Sequence, residues 1–105
     1  MENKSTCEID NDGAKRWYLN GELHREDGPA IEFADDGKQW CINGEYHRLN
    51  GPAYIGAYGY TEWWINGHDV TKEITQWATE NDIDLDNLTE VDKLMIKLTW
   101  AYYGQ

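Results

Sequence analysis

Basic residues, proline and cysteine are all scarce in this chain of 105 residues. It has nine Lys and Arg against 20 Asp and Glu, a formal net charge of −11, two Pro and two Cys. The acidic balance disfavours direct binding to nucleic acid or to anionic membranes, because those ligands are themselves negative. No apolar run approaches the roughly 18 residues of a membrane span. The stretch MENKSTCEID has no apolar h-region, so no secretory signal is expected. Cys7 and Cys41 form no Cys-x-x-Cys pair, which excludes a zinc knuckle or a thioredoxin-type redox site. Two reduced thiols in a cytoplasmic protein are expected. There is no Gly-x-Ser-x-Gly, no phosphate-binding glycine loop and no locally supported Cys-His pair. The sequence therefore offers no catalytic residue, and neither an enzyme nor a cofactor is expected.

Aromatic residues are plentiful: six Trp and seven Tyr, with one Phe. They supply enough apolar surface to fold an acidic chain as a single domain over residues 1–105. Three of the tryptophans, Trp17, Trp40 and Trp63, are spaced 23 and 23 apart. Residues 17–30 read WYLNGELHREDGPA and residues 40–53 read WCINGEYHRLNGPA, nine of 14 positions being identical. A third copy begins WWINGHDV and then departs from the pattern. TCEIDNDG at residues 6–13 resembles AIEFADDG at 30–37, which suggests a partial copy before the first.

Each Asn-Gly pair, at residues 20–21, 43–44 and 66–67, follows a short aromatic and β-branched run. Asn-Gly is a strong hairpin signal, because both central residues of a type I′ turn need positive φ. Residues 17–19 are thus expected to pair with 22–24, residues 40–42 with 45–47, and residues 63–65 with 68–70. Gly28-Pro29 and Gly51-Pro52 break the return strands before further strands at 30–33 and 53–55. Together these predict an antiparallel β-meander over residues 1–70 that grows by one hairpin unit per 23 residues. Alternate residues share a face of a strand, so the three Trp form one row and Leu19, Ile42 and Ile65 another, both read as core.

From residue 71 the pattern changes to helical spacing, giving a cap of two helices over residues 71–105. The first, with Thr71 as N-cap, contains Ile74, Trp77 and Ala78 and ends near Asn81. The second is capped by Asn87 with Glu90 or by Thr89 with Asp92. Leu88, Val91, Met95, Leu98 and Tyr102, with Leu94 beside them, are expected to face the core. The fold class is thus β-rich α+β. The alternative for the last helix is a partner-binding face.

Two constellations remain as candidate sites. Six of the seven acids after residue 70 lie at Glu80, Asp82, Asp84, Asp86, Glu90 and Asp92. The segment opens like an EF-hand loop, but its sixth position is Asn87 and its twelfth Lys93, so calcium binding is not expected. It is read either as a solvated linker or as a surface for a basic protein partner. His24-Arg25 and His47-Arg48 occupy the same place in successive units. They lack a third ligand at metal-binding spacing, so no metal site is expected. Their alternatives are bonds to neighbouring turns, or a ligand pocket in which the arginines grip a phosphate.

The unit W-x-[IL]-N-G-x-x-H-R-x-[DN]-G-P-A resembles the MORN-like repeats of proteins from large bacteriophages and giant viruses, over residues 13–77. It departs from ordinary MORN repeats in having Arg25 and Arg48 where those have glycine after the histidine. The resemblance implies a β-hairpin repeat fold and a viral origin, and it carries no catalytic residues. With the acidic charge it suggests a non-enzymatic viral protein that engages and inhibits a host protein, including as a DNA mimic. The alternatives are a structural module that self-assembles through the 5–9 strand edge and a binder of small phosphate-containing ligands.

Overall fold

The computed structural model of the protein describes residues 5–105; residues 1–4 of the polar N-terminal stretch lie outside the described residues. The chain forms β1 (Thr6–Ile9), β2 (Lys15–Leu19), β3 (Glu22–Leu23), β4 (Ile31–Glu32), β5 (Lys38–Gln39), β6 (Cys41–Ile42) and β7 (Glu45–Tyr46). It continues through β8 (Tyr54–Ile55), β9 (Thr61–Glu62), β10 (Trp64–Ile65) and β11 (His68–Asp69) into α1 (Thr71–Glu80) and α2 (Glu90–Trp100). The protein is a β-rich α+β fold of antiparallel strands followed by two helices.

The strands fall into three sheets rather than one. The main sheet runs β1-β2-β4-β5-β8-β9, with β3 paired to β2, while β6–β7 and β10–β11 form separate two-stranded ladders. The tryptophans mark where the chain changes ladder. β2 runs unbroken through Trp17, but Trp40 separates β5 from β6 and Trp63 separates β9 from β10. The residues before those two tryptophans pair within the main sheet, and the residues after them pair within a hairpin.

The Asn-Gly turns have the geometry their sequence demands. Asn20, Asn43 and Asn66 have φ of 53°, 50° and 51°, and the following glycines lie near 80°. These are type I′ conformations, which Gly, Asn and Asp adopt more cheaply than other residues. The outer turns recur as well: Asp10 N–H donates to Ala14 O, Phe33 N–H to Gly37 O, and Gly56 N–H to Tyr60 O, at 2.7–2.9 Å. Their left-handed residues are Gly13, Asp36 and Gly59. The turn equivalent to Gly13 is therefore Asp36, not Gly37. The sequence match of 6–13 with 30–37 is out of register by one, because it aligned the glycines rather than the backbone conformation.

The buried core cluster lies at the C-terminal end, where Trp63, Ile65, Val70, Ile74, Ile96 and Trp100 pack together with Leu49, Trp77, Leu85 and Leu88 at its margin. Burial of each large apolar side chain there contributes about 1.5–3 kcal/mol. Of the three tryptophans read as one core row, only Trp63 is buried; Trp17 and Trp40 are half-buried, each with an arginine on its ring. The third unit joins the helices through Thr71, whose Oγ1 accepts the Trp63 N–H at 2.9 Å. That N–H goes to Ala30 O from Trp17 and to Ala53 O from Trp40.

Both helix starts are defined. Val70, not Thr71, is the N-cap of α1 and supplies no side-chain cap bond; Asp69 Oδ1 instead accepts the Thr71 N–H at 3.0 Å. The Thr71 hydroxyl accepts the Trp63 N–H and donates to Asp69 Oδ1 at 2.6 Å, so it does not cap the helix. α2 has Thr89 as N-cap in a capping box with Asp92.

The face of α2 differs from the expected one. Ile96 and Trp100 are buried, whereas Val91, Leu94, Leu98 and Tyr102 are 66%, 54%, 76% and 80% exposed. The 3–4 spacing located an apolar face, but a helix with apolar residues on two sides can bury only one. Here the larger payload of Trp100 with Ile96 takes the core.

Candidate functional site: a cationic groove beside the last helix

Each His-Arg pair of the sequence sits at the end of a return strand and is held by the same set of bonds. Nδ1 of His24 accepts the Asn43 N–H, and Nδ1 of His47 accepts the Asn66 N–H, both at 2.9 Å. Each histidine thus ties its hairpin to the next Asn-Gly turn. Accepting at Nδ1 places the proton of the neutral ring on Nε2. In His24, Nε2 lies 3.2 Å from Glu26 Oε2. His24 is buried and His47 half-buried. Burial holds His47 below its ordinary pKa, against the opposing charge of Glu45.

The arginines are clamped between a tryptophan and a glycine. Cζ of Arg25 lies 3.9 Å from the Trp17 ring centroid, and Cζ of Arg48 lies 3.7 Å from that of Trp40. A Cβ on Gly28 would come within 2.9 Å of Arg25 Cζ, and one on Gly51 within 2.7 Å of Arg48 Cζ. Nε of Arg25 donates to Asp27 Oδ1 and Nη1 to Pro29 O, at 2.9 and 3.2 Å. Nε of Arg48 donates to Asn50 Oδ1 and Nη1 to Pro52 O, both at 3.0 Å. The Trp, His-Arg, Asp/Asn and Gly-Pro positions of the sequence unit are thus the parts of one clamp.

The two clamps differ in charge. Arg25 has Asp27 at 2.9 Å and Glu32 at 3.6 Å. Arg48 has no carboxylate within ion-pair distance among the described residues, and burial lowers its pKa to about 10. Asn50 and Ile55 stand where the first unit has Asp27 and Glu32, 23 residues earlier.

Arg25, His47 and Arg48 line a groove of about 870 Å³ between the second hairpin and α2. Its apolar walls are Trp40, Ile42, Leu49 and Leu94, and Lys93 and Lys97 face it from α2. Glu26, Asp27 and Asn50 complete the polar lining. His24, read from the sequence as part of the same pocket, is buried away from this lining. The lysines were missed because nothing in the sequence says that α2 returns to the second unit, although Lys93 and Lys97 are four apart and so share a helix face.

The acidic residues are dispersed in role. Glu80, Asp82, Asp84, Asp86 and Glu90 are exposed. Asp92 is half-buried and accepts the Thr89 N–H as part of the cap. Glu90 pairs with Lys93 at 3.0 Å. Asp84 accepts the Asp86 N–H and an Asn87 side-chain N–H, and these bonds hold its carboxyl below the usual range. Among the described residues no group of three or more His, Cys, Asp or Glu is placed to hold a metal ion. No helix among them is long and apolar enough to cross a membrane. Comparison with protein-family models, curated proteins and solved structures finds no match.

Proposed function

We propose that the protein is a non-enzymatic binding protein that docks a host protein through α2 and inhibits it. The observation that carries this reading is the row Val91, Leu94 and Leu98, continued by Tyr102 in the turn after α2, all more than half exposed, on a helix whose opposite face is anchored in the core. Interfaces combine an apolar centre with a polar rim. Here the acidic segment from Glu80 to Glu90 leads into the N-terminal end of the row, which favours a partner with a basic rim. The resemblance of the 23-residue unit to MORN-like repeats adds a viral origin and action in the host cytoplasm to this reading.

Affinity capture from host cells identifies the partner, and titration with the purified partner then tests the surface. Leu98→Glu should abolish binding, while rising salt weakens it by screening the acidic rim. A partner that binds Leu98→Glu as tightly as the parent would refute this reading.

A second reading is favoured by β1, an edge strand of the main sheet whose four residues are all exposed. Pairing of that edge with a second copy would make a self-assembling module. Sedimentation that stays monomeric across concentration would exclude it.

A further inference from the structure

We propose that the groove between the second hairpin and α2 is a binding site for a small molecule with a phosphate or carboxylate head and an apolar or aromatic body. This site shares only Leu94 with the docking row on α2, and it stands whether or not that row binds a protein.

The argument begins with charge. The chain has only nine Lys and Arg, and four of them, Arg25, Arg48, Lys93 and Lys97, line this one groove. In a protein of net charge −11, cations are easily neutralised from within. Arg25 follows that pattern, with Asp27 and Glu32 beside it. Arg48 does not: the same clamp holds it, but Asn50 and Ile55 have replaced the two acids. A half-buried guanidinium without a carboxylate is an incomplete arrangement, since a buried cation is ordinarily paired. The replacement occurs in the unit that α2 approaches with two lysines.

Donors are also available. Arg48 uses Nε and Nη1 in its clamp, which leaves Nη2 without a partner among the described residues. The Lys97 ammonium likewise makes no ion pair or hydrogen bond among them. Lys93 is bonded to Glu90 at 3.0 Å and contributes as a partly neutralised charge. The two acids in the lining are already engaged, Asp27 with Arg25 and Glu26 with His24. A planar, pre-positioned guanidinium with a nearby ammonium is the arrangement that recognises phosphate and carboxylate oxygens.

The remaining walls set the body of the ligand. Trp40, Ile42, Leu49 and Leu94 are apolar, and a groove of about 870 Å³ exceeds what an inorganic anion fills. It falls within the range of small-molecule sites, roughly 300–1,000 Å³. The overall negative charge opposes the ligand only weakly, because repulsion from distant acids is screened over about 8 Å at physiological salt.

The test is a titration of the full chain, followed by Trp fluorescence and by amide chemical shifts, with four probes: a nucleoside monophosphate, its nucleoside, inorganic phosphate and an aromatic carboxylate. The monophosphate or the carboxylate should bind saturably, with shifts at Arg48, Asn50 and Lys97, and which of them binds identifies the head group. The nucleoside should bind at least about tenfold more weakly, a difference of about 1.4 kcal/mol. Lys97→Glu, an exposed change that leaves the fold in place, should weaken binding by at least the same factor, whereas Leu98→Glu, outside the groove, should not. Failure of both anionic organic probes to saturate, equal binding of the nucleoside, binding of inorganic phosphate as tight as that of the ester, or undiminished binding to Lys97→Glu would each overturn the proposal.

Discussion

The guanidinium of Arg48 lies flat enough on Trp40 to bring Cζ within 3.7 Å of the ring centroid, with Gly51 closing its other side. Stacking, two hydrogen bonds and close glycine contact act on the same side chain. Cation–π contact of a partly desolvated arginine contributes about 0.5–2 kcal/mol, and a hydrogen bond from a charged donor about 1.5–3 kcal/mol.

Gly51 does not have a positive φ, so its role is space rather than backbone conformation. Gly51→Ala should destabilise the protein by about 1–3 kcal/mol, the usual cost of overpacking, because the new Cβ must displace Arg48. On an Arg48→Ala background the same change should cost less than half as much. Urea denaturation of the four proteins gives the coupling directly. Equal costs in both backgrounds would show that Gly51 does not serve the clamp.

His47 connects the second hairpin to the third through the Asn66 N–H. Its folded pKa lies below the ordinary 6.5, chiefly through burial. The unfolded chain therefore takes up the proton first as pH falls. The stability contributed by the neutral ring is fully present above 6.5 and is lost as pH falls from there through the lower folded value. Thermal melts should show a falling midpoint across that window, and His47→Gln should flatten the fall. Asp27 and Asp84, whose carboxyls are lowered from 3.8, act in a separate window at lower pH. An unchanged slope in His47→Gln would remove His47 as its source.

Two neighbouring positions on α2 should respond in opposite ways. Ile96 is fully buried and Leu98 is 76% exposed. Ile96→Ala should cost about 2–5 kcal/mol through lost burial and the cavity left behind. Leu98→Glu should shift stability by no more than about 0.5 kcal/mol. Guanidinium denaturation followed by circular dichroism distinguishes them, and a large loss in Leu98→Glu would mean that the exposed row packs against the protein's own surface.

Much of the architecture was legible because it depends on local chemistry. Asn-Gly specifies its own turn, and Thr89 with Asp92 specifies a helix start, whatever lies elsewhere in the chain. The side of α2 that faces inward was not legible. Val91 and Leu98 fit the apolar period as well as Ile96 and Trp100 do, and only the position of the third hairpin decides between them. The groove failed to show for the same reason. Arg48 and Lys97 are 49 residues apart, and the loss of acids at Asn50 and Ile55 gains meaning only once α2 is seen to approach. The division into three sheets was hidden because Trp17, Trp40 and Trp63 look alike in sequence, while only the first lies within an unbroken strand.

The two thiols should differ sharply in reactivity. Cys7 is exposed on β1, and Cys41 is buried on β6, where burial pushes its thiol up to about 11. The thiolate is the nucleophile, so Cys41 is both shielded and protonated near neutral pH. A disulfide-exchange reagent should modify Cys7 rapidly in the native protein. Cys41 should react only when the β6–β7 ladder opens, and both should react at once in denaturant. Because Arg25 N–H donates to Cys41 O at 3.1 Å, opening β6 also breaks the link between the first and second hairpins. The slow rate at Cys41 therefore measures the stability of that junction. His24→Ala, which removes the Nδ1 that accepts the Asn43 N–H across the same junction, should speed it while leaving the Cys7 rate unchanged. Two fast thiols in the native protein would contradict the buried position of β6.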